Sequence, residues 1–429
     1  MDVFIPFAAL LIFLFLGIPI AFSLGTAGII GIFLISGDTN ILMSMVGLVT
    51  YDAVASYVLS AVPMFILLAL LTSSSGIAKD MFISAYNWTS KIRGGVAIGT
   101  VFACGIFGAM SGASLAAASV MSEIAIPNMR RLGYSETLTG GVVSIGSTLC
   151  ILIPPSILFV IYGTLTDTSI SKLLLAGVLP GITLGFFLIL CILIWVTVRP
   201  QDAPQAETVS WSERWRSSYH IWPAILLIFI IIGLLYAGVA TPTEVAGLGA
   251  FFAGLIGIIL RRLTWAGALN AFKGTISISA MIFMMLIGAY IFGYFMTLSG
   301  LPQHVIAVVD SMNLNRWFVM FAICSTYFIF SMFMDELPLM LIYLQITFPL
   351  IIKLGFDPIW YGVVMAILIM MGFVFPPVGL ICFVVSAAGR IKLSDVYKGS
   401  SILIIAIMLT LFSLMIFPQI ALFLPSTMK

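Results

Sequence analysis

Long apolar runs separated by short polar segments make up nearly the whole chain. A helix needs about 20 apolar residues to cross the hydrocarbon core of a bilayer. Because a spanning segment must pair its own backbone N–H and C=O groups inside lipid, these runs are expected to be helices. The pattern predicts an all-α polytopic membrane protein. About ten spans are expected, near residues 4–22, 24–36, 57–74, 137–164, 173–198, 221–239, 244–260, 275–298, 358–388 and 400–424.

Two further apolar runs, near residues 95–130 and 316–353, are interrupted in the middle by small or polar residues. The first interruption is Ser111 to Ser114, and the second is Asp335 to Pro338. Each run is either a pair of full spans or a re-entrant hairpin that enters and leaves the membrane on one side. We expect two re-entrant hairpins, although both alternatives place the remaining segments on the same sides.

The two halves of the chain share a sequence pattern at an offset of 222 residues. Residues 124–134 (IAIPNMRRLGY) align with residues 346–356 (ITFPLIIKLGF), and Pro154-Pro155 aligns with Pro376-Pro377 at the same offset. The order of features is also the same in both halves: three spans, an interrupted hairpin, a span that contains Pro-Pro, and a final span. A shared offset for an 11-residue block and a proline pair indicates an internal repeat.

The repeat predicts the domain organisation. We expect a first repeat over residues 1–198, a cytoplasmic linker over residues 199–220 and a second repeat over residues 221–429. Five complete crossings in each half would turn the second copy over relative to the first. This is the inverted-repeat architecture of many secondary transporters, which can open to either side with similar energy.

Composition and charge agree with this topology. The chain has 429 residues, of which 62% are hydrophobic and 8% charged, against about 25% charged in a typical soluble domain. With the N-terminus outside, 14 of the 18 Lys and Arg residues fall on the cytoplasmic side, as the positive-inside rule requires. Both termini are then expected to be periplasmic, in a bacterial inner membrane. The four exceptions are Lys172, Arg316, Lys353 and Lys429.

The paired prolines are the first candidate for chemistry. Pro154-Pro155 and Pro376-Pro377 each lie in the middle of a predicted span. Two adjacent prolines remove two backbone donors and break the helix, which frees carbonyl oxygens at membrane depth. Such oxygens suit a sodium ion, and we assign Pro154, Pro155, Pro376, Pro377 and Gly379 to sodium binding. A simple proline kink is the alternative for either pair alone.

The hairpin tips are the second candidate. Ser111, Gly112 and Ser114 offer hydroxyls and a flexible backbone at a helix start, which attracts anions. Asp335 and Glu336 occupy the matching place in the second half, and acidic residues at membrane depth are costly and usually functional.

We assign these polar residues to two ligands. Asp335 and Ser111 are expected to bind sodium, together with Thr148 in the first Pro-Pro span. Ser111, Gly112, Ser114, Ser156 and Glu336 are expected to contact substrate. A plain N-cap on an extramembrane turn is the alternative for Asp335 and Glu336.

An ordered set of motifs resembles the large membrane subunit of TRAP transporters, the DctM-like family. In the first half these motifs are Gly108 to Ser114, Pro127 to Tyr134, and Ile153 to Ser156 followed by Ile161-Tyr162-Gly163. In the second half they are Leu354 to Pro358 and Pro376 to Gly379. The resemblance covers nearly the whole chain.

The resemblance implies an elevator-type carrier with a fixed scaffold and a mobile domain that contains both hairpins and both Pro-Pro spans. It also implies sodium as the coupling ion, a separate small membrane subunit, and a periplasmic protein that delivers the substrate. Family substrates are organic acids, and we favour sialic acid over a C4-dicarboxylate. No enzymatic activity is expected. The rival interpretation is a stand-alone sodium/carboxylate symporter that needs no binding protein.

Two features of the sequence qualify what the resemblance implies. The family often has Thr immediately before the second Pro-Pro pair, where this chain has Phe375. A second sodium site must then depend on backbone carbonyls or on Asp335. No Arg is expected at mid-membrane to hold a carboxylate, so hairpin N-termini, hydroxyls and bound sodium would hold it.

Overall fold

The computed structural model describes residues 4–204 and 209–428 and contains only helices and loops over those ranges. Residues 205–208 of the expected linker and both extreme termini lie outside the described residues. The helices of the first half are α1 (Phe4–Phe15), α2 (Ile20–Ser36), α3 (Thr39–Ala55), α4 (Ala61–Ser74), α5 (Ile77–Thr89), α6 (Gly95–Ser111), α7 (Ser114–Arg131), α8 (Glu136–Leu152), α9 (Ile157–Leu165), α10 (Ile170–Ala176) and α11 (Val178–Val198).

The second half begins after the linker, with a short helix that leads into the next apolar segment. Its helices are α12 (Trp211–Tyr219), α13 (Trp222–Tyr236), α14 (Pro242–Ile259), α15 (Trp265–Ser299), α16 (Leu301–Ser311), α17 (Arg316–Ser331), α18 (Glu336–Lys353), α19 (Pro358–Val374), α20 (Leu380–Gly389), α21 (Leu393–Ile416) and α22 (Gln419–Thr427). Two short 3-10 turns, Tyr57–Ser60 and Pro200–Asp202, complete the regular structure of the described residues.

Several of these helices are long and apolar enough to cross a bilayer, which confirms the predicted class of all-α polytopic membrane protein. By length and composition six segments qualify alone, and two bent pairs bring the number to eight. The bent pairs are α8–α9, with a 41° bend, and α12–α13, with a 51° bend. The other expected crossings correspond to apolar helices of 10–17 residues.

The order of helices is similar in both halves, and one of the differences lies in the third span. Helix α15 is a single helix of 35 residues. Its counterpart is broken into α3 and α4, because Ser56 has an extended backbone and a 3-10 turn follows it. We expected no helix over the range of α3, since Asn40, Ser44 and Asp52 interrupt its apolar pattern.

The two halves are interlocked in the packing. Helix α2 of the first half packs along α15 of the second, and α4 of the first half packs along α14 of the second. Helix α8 similarly packs along α21. At the closest point of this last pair, a methyl group added to Gly141 would lie 2.5 Å from the carbonyl carbon of Gly399. Neither half therefore has a complete core without the other.

Two helical hairpins occupy the positions of the interrupted runs. The first consists of α6 and α7, joined at Gly112-Ala113, and it packs against α8. The second consists of α17 and α18, joined over residues 332–335, and its α17 arm packs against α19. Their arms are 16–18 residues long. Whether either hairpin is re-entrant in the membrane stays a prediction, since α18 alone is long and apolar enough to span.

Candidate functional site

The tip of the first hairpin lies directly against the first Pro-Pro loop. Gly112 ends α6 in the left-handed conformation, with φ of +60°, and donates its backbone N–H to the Gly108 carbonyl. A methyl group added to Gly112 would collide with the carbonyl oxygen of Pro155. Glycine is required here by both the backbone conformation and the contact. The first hairpin tip and the first Pro-Pro loop are therefore in direct contact at Gly112 and Pro155.

Three predicted serines meet this contact with hydroxyls that have no hydrogen-bond partner. Ser111 and Ser114 lie on the two sides of the hairpin turn, and Ser156 follows the Pro-Pro pair. All three are at most 1% exposed, and each Oγ is buried without a partner. A buried hydroxyl without a partner costs about 1–3 kcal/mol. Three of them around one loop indicate a site for a ligand that supplies the missing interactions.

The other predicted residues of the first half are also buried here. Pro154 and Pro155 are both buried, in the break between α8 and α9. Thr148 is fully buried on α8, and its hydroxyl donates to the carbonyl of Ile145 at 2.7 Å. This bond uses the proton of Thr148, so lone pairs of its oxygen are left for a cation.

The tip of the second hairpin carries the two predicted acids. Asp335 is the N-cap of α18, and its carboxylate accepts the Glu336 N–H at 2.8 Å. An N-cap was the alternative to a sodium ligand for Asp335. Capping uses one carboxylate oxygen, and the other is left for a cation. Glu336 begins α18, and its Oε2 is buried with no hydrogen-bond partner. Glu336 thus resembles the three serines in having an unsatisfied oxygen.

The second hairpin contacts α19 just before the second Pro-Pro pair. Ser331 is the last residue of α17. Its hydroxyl donates to the Leu368 carbonyl at 3.2 Å and fills the space above Gly372. The ring of Phe375 packs edge-on against Phe328 of α17 at 5.5 Å. Phe375, which stands where the family often has Thr, thus makes an apolar contact with the hairpin arm.

The second Pro-Pro loop differs from the first in its surroundings. Pro377 is exposed and Pro376 is partly exposed, whereas their counterparts in the first loop are buried. Gly379 is in the left-handed conformation, with φ of +54°. The loop contacts α21, where the Tyr397 hydroxyl donates to the Val378 carbonyl at 2.6 Å and lies 3.2 Å from the Pro377 oxygen. The loop's carbonyls therefore converge on a hydroxyl.

Side chains of both halves meet around Glu336. Its carboxyl lies within electrostatic range of the Cys150 thiol on α8 and of the Tyr327 hydroxyl on α17. Cys150 also lies beside the Ser111 side chain at the first hairpin tip. The Tyr327 hydroxyl is buried and has no hydrogen-bond partner. The structure thus connects the second hairpin tip to the first hairpin through α8.

Three of these residues were missed by sequence reasoning. They are Tyr397, which bonds to the second loop, Tyr327, which lies near Glu336, and Ser144, whose hydroxyl is buried without a partner beside Cys382 of α20. Each lies within a helix whose sequence pattern is ordinary for a membrane span. Only tertiary contacts bring them to the loops, and no local motif signals that.

Among the described residues, the ion pairs do not join Glu123 of α7 to Arg130 or Arg131. Glu123 is exposed on α7. Arg130 forms its ion pair with Glu136 at 2.6 Å instead, and it also donates to the Gly389 carbonyl at 3.3 Å. Arg130 thereby joins the first hairpin to α8 and to the end of α20.

Helix α14 begins at Pro242, directly after its N-cap residue Thr241. The Thr241 hydroxyl accepts the Glu244 N–H, and the Glu244 carboxylate accepts the Thr241 N–H at 2.8 Å. This is a capping box, so Glu244 has a structural role.

The donor set fits a hard cation and a small anion. Hydroxyl, carboxylate and carbonyl oxygens are the ligands that hard cations prefer. The helix start at Ser114 adds unpaired backbone N–H groups that favour an anion. Among the described residues no cluster of three or more His, Cys, Asp or Glu side chains is arranged to hold a metal ion.

A comparison with protein families matches residues 7–420 to the DctM component of tripartite ATP-independent periplasmic transporters. The chain belongs to this family. Its large permease relatives include the C4-dicarboxylate permease DctM of Pseudomonas aeruginosa, which is 32% identical over 94% of each chain. The resemblance drawn from the hairpin and Pro-Pro motifs is confirmed.

Other DctM relatives carry different substrate names. The ectoine permease TeaC of Halomonas elongata is 32% identical over 96% of each chain. The sialic acid permease SiaM of Vibrio cholerae is 28% identical, again over 96% of each chain. These names do not separate the substrates, so membership establishes a large permease subunit of a TRAP transporter for organic acids and no narrower specificity.

One solved structure has a similar fold. The YdaH transporter of Alcanivorax borkumensis superposes with a TM-score of 0.52 over 91% of this chain and 89% of that one, at 11% identity. At that identity the likeness concerns the fold alone.

Members of the DctM family work with a small membrane subunit and a periplasmic binding protein, which agrees with the partners expected from the motifs.

Proposed function

We propose that this DctM chain imports an organic acid by coupling it to sodium, with both hairpins and both Pro-Pro loops moving as one unit. The observation that carries the proposal is the set of buried hydroxyls of Ser111, Ser114 and Ser156, on a hairpin tip and a Pro-Pro loop that meet at Gly112 and Pro155. Sodium would take a lone pair of Ser111, and the substrate would hydrogen-bond with Ser114 and Ser156, so that none of the three hydroxyls would be left unsatisfied. The residues assigned to sodium are Ser111, Thr148, Pro154, Pro155, Asp335, Pro376, Pro377 and Gly379.

The substrate is proposed to bind next to the ion, between the two hairpin tips. The start of α7, with Gly112, Ser114 and Ser156, would hold a carboxylate through N–H and O–H donors. Glu336, whose Oε2 lacks a partner, would accept from a hydroxyl or amino group of the same solute. A solute that carries both a carboxylate and donor groups fits this set, and sialic acid has both. A C4-dicarboxylate is the next candidate.

The moving unit is proposed from the packing. Helices α6–α9 and α17–α20 contain both hairpins and both loops, while α2 with α15 and α4 with α14 form tight pairs outside that group. Interlocked pairs that cross between halves suit a fixed scaffold. The mobile group would then carry its bound ion and substrate across as a rigid body.

The test is uptake by proteoliposomes that contain this chain and its small membrane subunit. Labelled sialic acid, a labelled C4-dicarboxylate and labelled ectoine are each supplied with the binding protein, with an inward sodium gradient or a matched potassium gradient. The proposal expects accumulation of one organic acid only with sodium. Equal uptake in both gradients would remove sodium coupling, and equal uptake without the binding protein would favour the stand-alone symporter.

A further inference from the structure

A cluster of tryptophans and cations lies where the linker helix α12 meets the end of α5. The indole of Trp211 has two neighbouring cations, Lys91 with Nζ at 5.9 Å and Arg214 with its guanidinium carbon at 5.4 Å from the ring centroid. Trp88 packs edge-on against Trp211 at 6.1 Å and against Trp215 at 5.6 Å. A cation of α12 and a cation of the turn after α5 thus lie at one aromatic surface.

The cations of this cluster have no acidic partner in the described ranges, 4–204 and 209–428. None of the ion pairs found there includes Lys91 or Arg214. Arg214 is 5% exposed, and its Nε and Nη2 are buried without a hydrogen-bond partner. The acid of α12, Glu213, is held in the capping box with Ser210. A buried guanidinium without an acceptor is costly, and within the described ranges no acidic side chain supplies one to Arg214.

The geometry of α12 is typical of a helix that lies at the surface of a bilayer. Helix α12 is bent by 51° from the apolar span α13. Trp211, Trp215 and Tyr219 are four residues apart, so they share one face, and they are 60%, 64% and 74% exposed. Exposed Trp and Tyr at a span end are typical of the boundary between lipid and water. The exposed Lys91 and the buried Arg214 lie beside the Trp211 ring of this face.

We propose that Lys91 and Arg214 bind the phosphate of an anionic phospholipid at this boundary, with Trp88, Trp211 and Trp215 packed against the glycerol and upper acyl chain. The planar guanidinium of Arg214 offers two unused donors in a geometry that matches a phosphate. The positive-inside distribution predicts that this boundary faces the cytoplasm, where anionic lipids are attracted by basic residues. The site is separate from the hairpin tips and does not depend on sodium coupling.

The test uses the complex of this chain with its small membrane subunit in detergent. Thermal unfolding is followed while phosphatidylglycerol, phosphatidylcholine or inorganic phosphate is added to separate samples. The readout is the concentration of phosphatidylglycerol that gives half of the maximal rise in Tm, relative to phosphatidylcholine for the same variant. Because the two lipids are compared on the same variant, a change in the basal stability of that variant does not alter the comparison.

Lys91→Gln is the main variant because Lys91 is exposed and its replacement is not expected to disturb folding. It should weaken the phosphatidylglycerol effect about fivefold, the factor expected for one basic residue near an anionic surface. Arg214→Gln should abolish the effect. Lys398→Gln, which changes an exposed lysine on α21, is the matched control and should leave it unchanged.

Each other outcome overturns the proposal. An undiminished phosphatidylglycerol effect in Lys91→Gln would remove this cluster as the site. Equal protection by phosphatidylcholine would show that the headgroup charge is irrelevant. Equal protection by inorganic phosphate would indicate a site for a free anion instead of a lipid.

Discussion

The Tyr397 hydroxyl donates to the carbonyl oxygen of Val378 at 2.6 Å and lies 3.2 Å from that of Pro377. Tyr397 of α21, almost 20 positions after the loop, therefore holds the second Pro-Pro loop in place. Where the family often has Thr, this chain has Phe375, whose ring contacts Phe328. Tyr397 provides the hydroxyl at this loop that position 375 lacks.

Tyr397→Phe tests whether this bond positions a sodium site. Removing the hydroxyl frees two carbonyls of the loop, and a neutral hydrogen bond of this kind is worth about 1 kcal/mol. We expect the sodium concentration for half-maximal uptake to rise about fivefold, with little change in substrate KM at saturating sodium. Both values come from initial uptake rates in proteoliposomes.

The control for Tyr397→Phe is Tyr236→Phe, since the Tyr236 hydroxyl makes only a long bond to Thr427 at 3.4 Å. Its sodium dependence should match that of the unmodified chain. If Tyr397→Phe also keeps the original sodium dependence, the hydroxyl has no part in ion binding.

Gly112→Ala should impair transport because of the contact with Pro155. The added methyl group meets the Pro155 carbonyl oxygen, and alanine at φ of +60° is strained. The left-handed conformation alone costs about 1–2 kcal/mol for a residue with a Cβ. We expect uptake to fall at least about tenfold, because 1.4 kcal/mol already corresponds to a factor of ten.

Gly185→Ala is the matched control for Gly112→Ala. A methyl group on Gly185, in α11, meets no atom within 4 Å. Uptake by this variant should be normal. Normal uptake by Gly112→Ala would mean that the hairpin tip does not need its close approach to the first loop.

Ser156→Ala should have opposite effects on stability and on function. Because the Ser156 hydroxyl is buried without a partner, its removal should leave the free energy of unfolding unchanged or raise it by about 1 kcal/mol. Transport should fall, because the hydroxyl is proposed to contact substrate. Thermal unfolding and substrate KM are measured on the same preparation.

Ser122→Ala provides the comparison for Ser156→Ala. Ser122 is equally buried, but its hydroxyl donates to the Ala118 carbonyl at 2.6 Å. It should keep normal transport. A loss of stability in Ser156→Ala without any change in KM would assign Ser156 a structural role alone.

Asp335→Asn separates the cap from the charge. Asparagine is as good an N-cap as aspartate, so α18 should keep its start while the negative charge at the hairpin tip is lost. We expect a higher sodium requirement for uptake and an unchanged Tm. Sodium activation that is the same in Asp335→Asn and the unmodified chain would leave Asp335 as a cap only.

Much of the architecture could be predicted from local sequence. Proline pairs and the Gly112 turn break helices by their own backbone chemistry, so both hairpins and both loops were placed correctly along the chain. Helix α3 was missed because its polar residues interrupt the apolar pattern that membrane helices usually show. Its identity as half of the counterpart of α15 is visible only when the two halves are compared in three dimensions.

The side chains around the loops were harder to predict than the loops. The contact of Gly112 with Pro155 joins elements more than 40 residues apart, and Tyr397 reaches Val378 from another helix. Such contacts depend on how helices pack, which periodicity does not specify. The capping role of Asp335 was among the alternatives because Asp before a helix start is a local signal.

The most direct test of the account is sodium-dependent uptake by the unmodified chain beside Ser111→Ala, Ser114→Ala and Ser156→Ala. All are reconstituted with the small subunit and supplied with the binding protein and one organic acid. The account predicts uptake that requires an inward sodium gradient and that falls in all three variants while their Tm is maintained. Uptake that is independent of sodium, or is undiminished in the three variants, would contradict it.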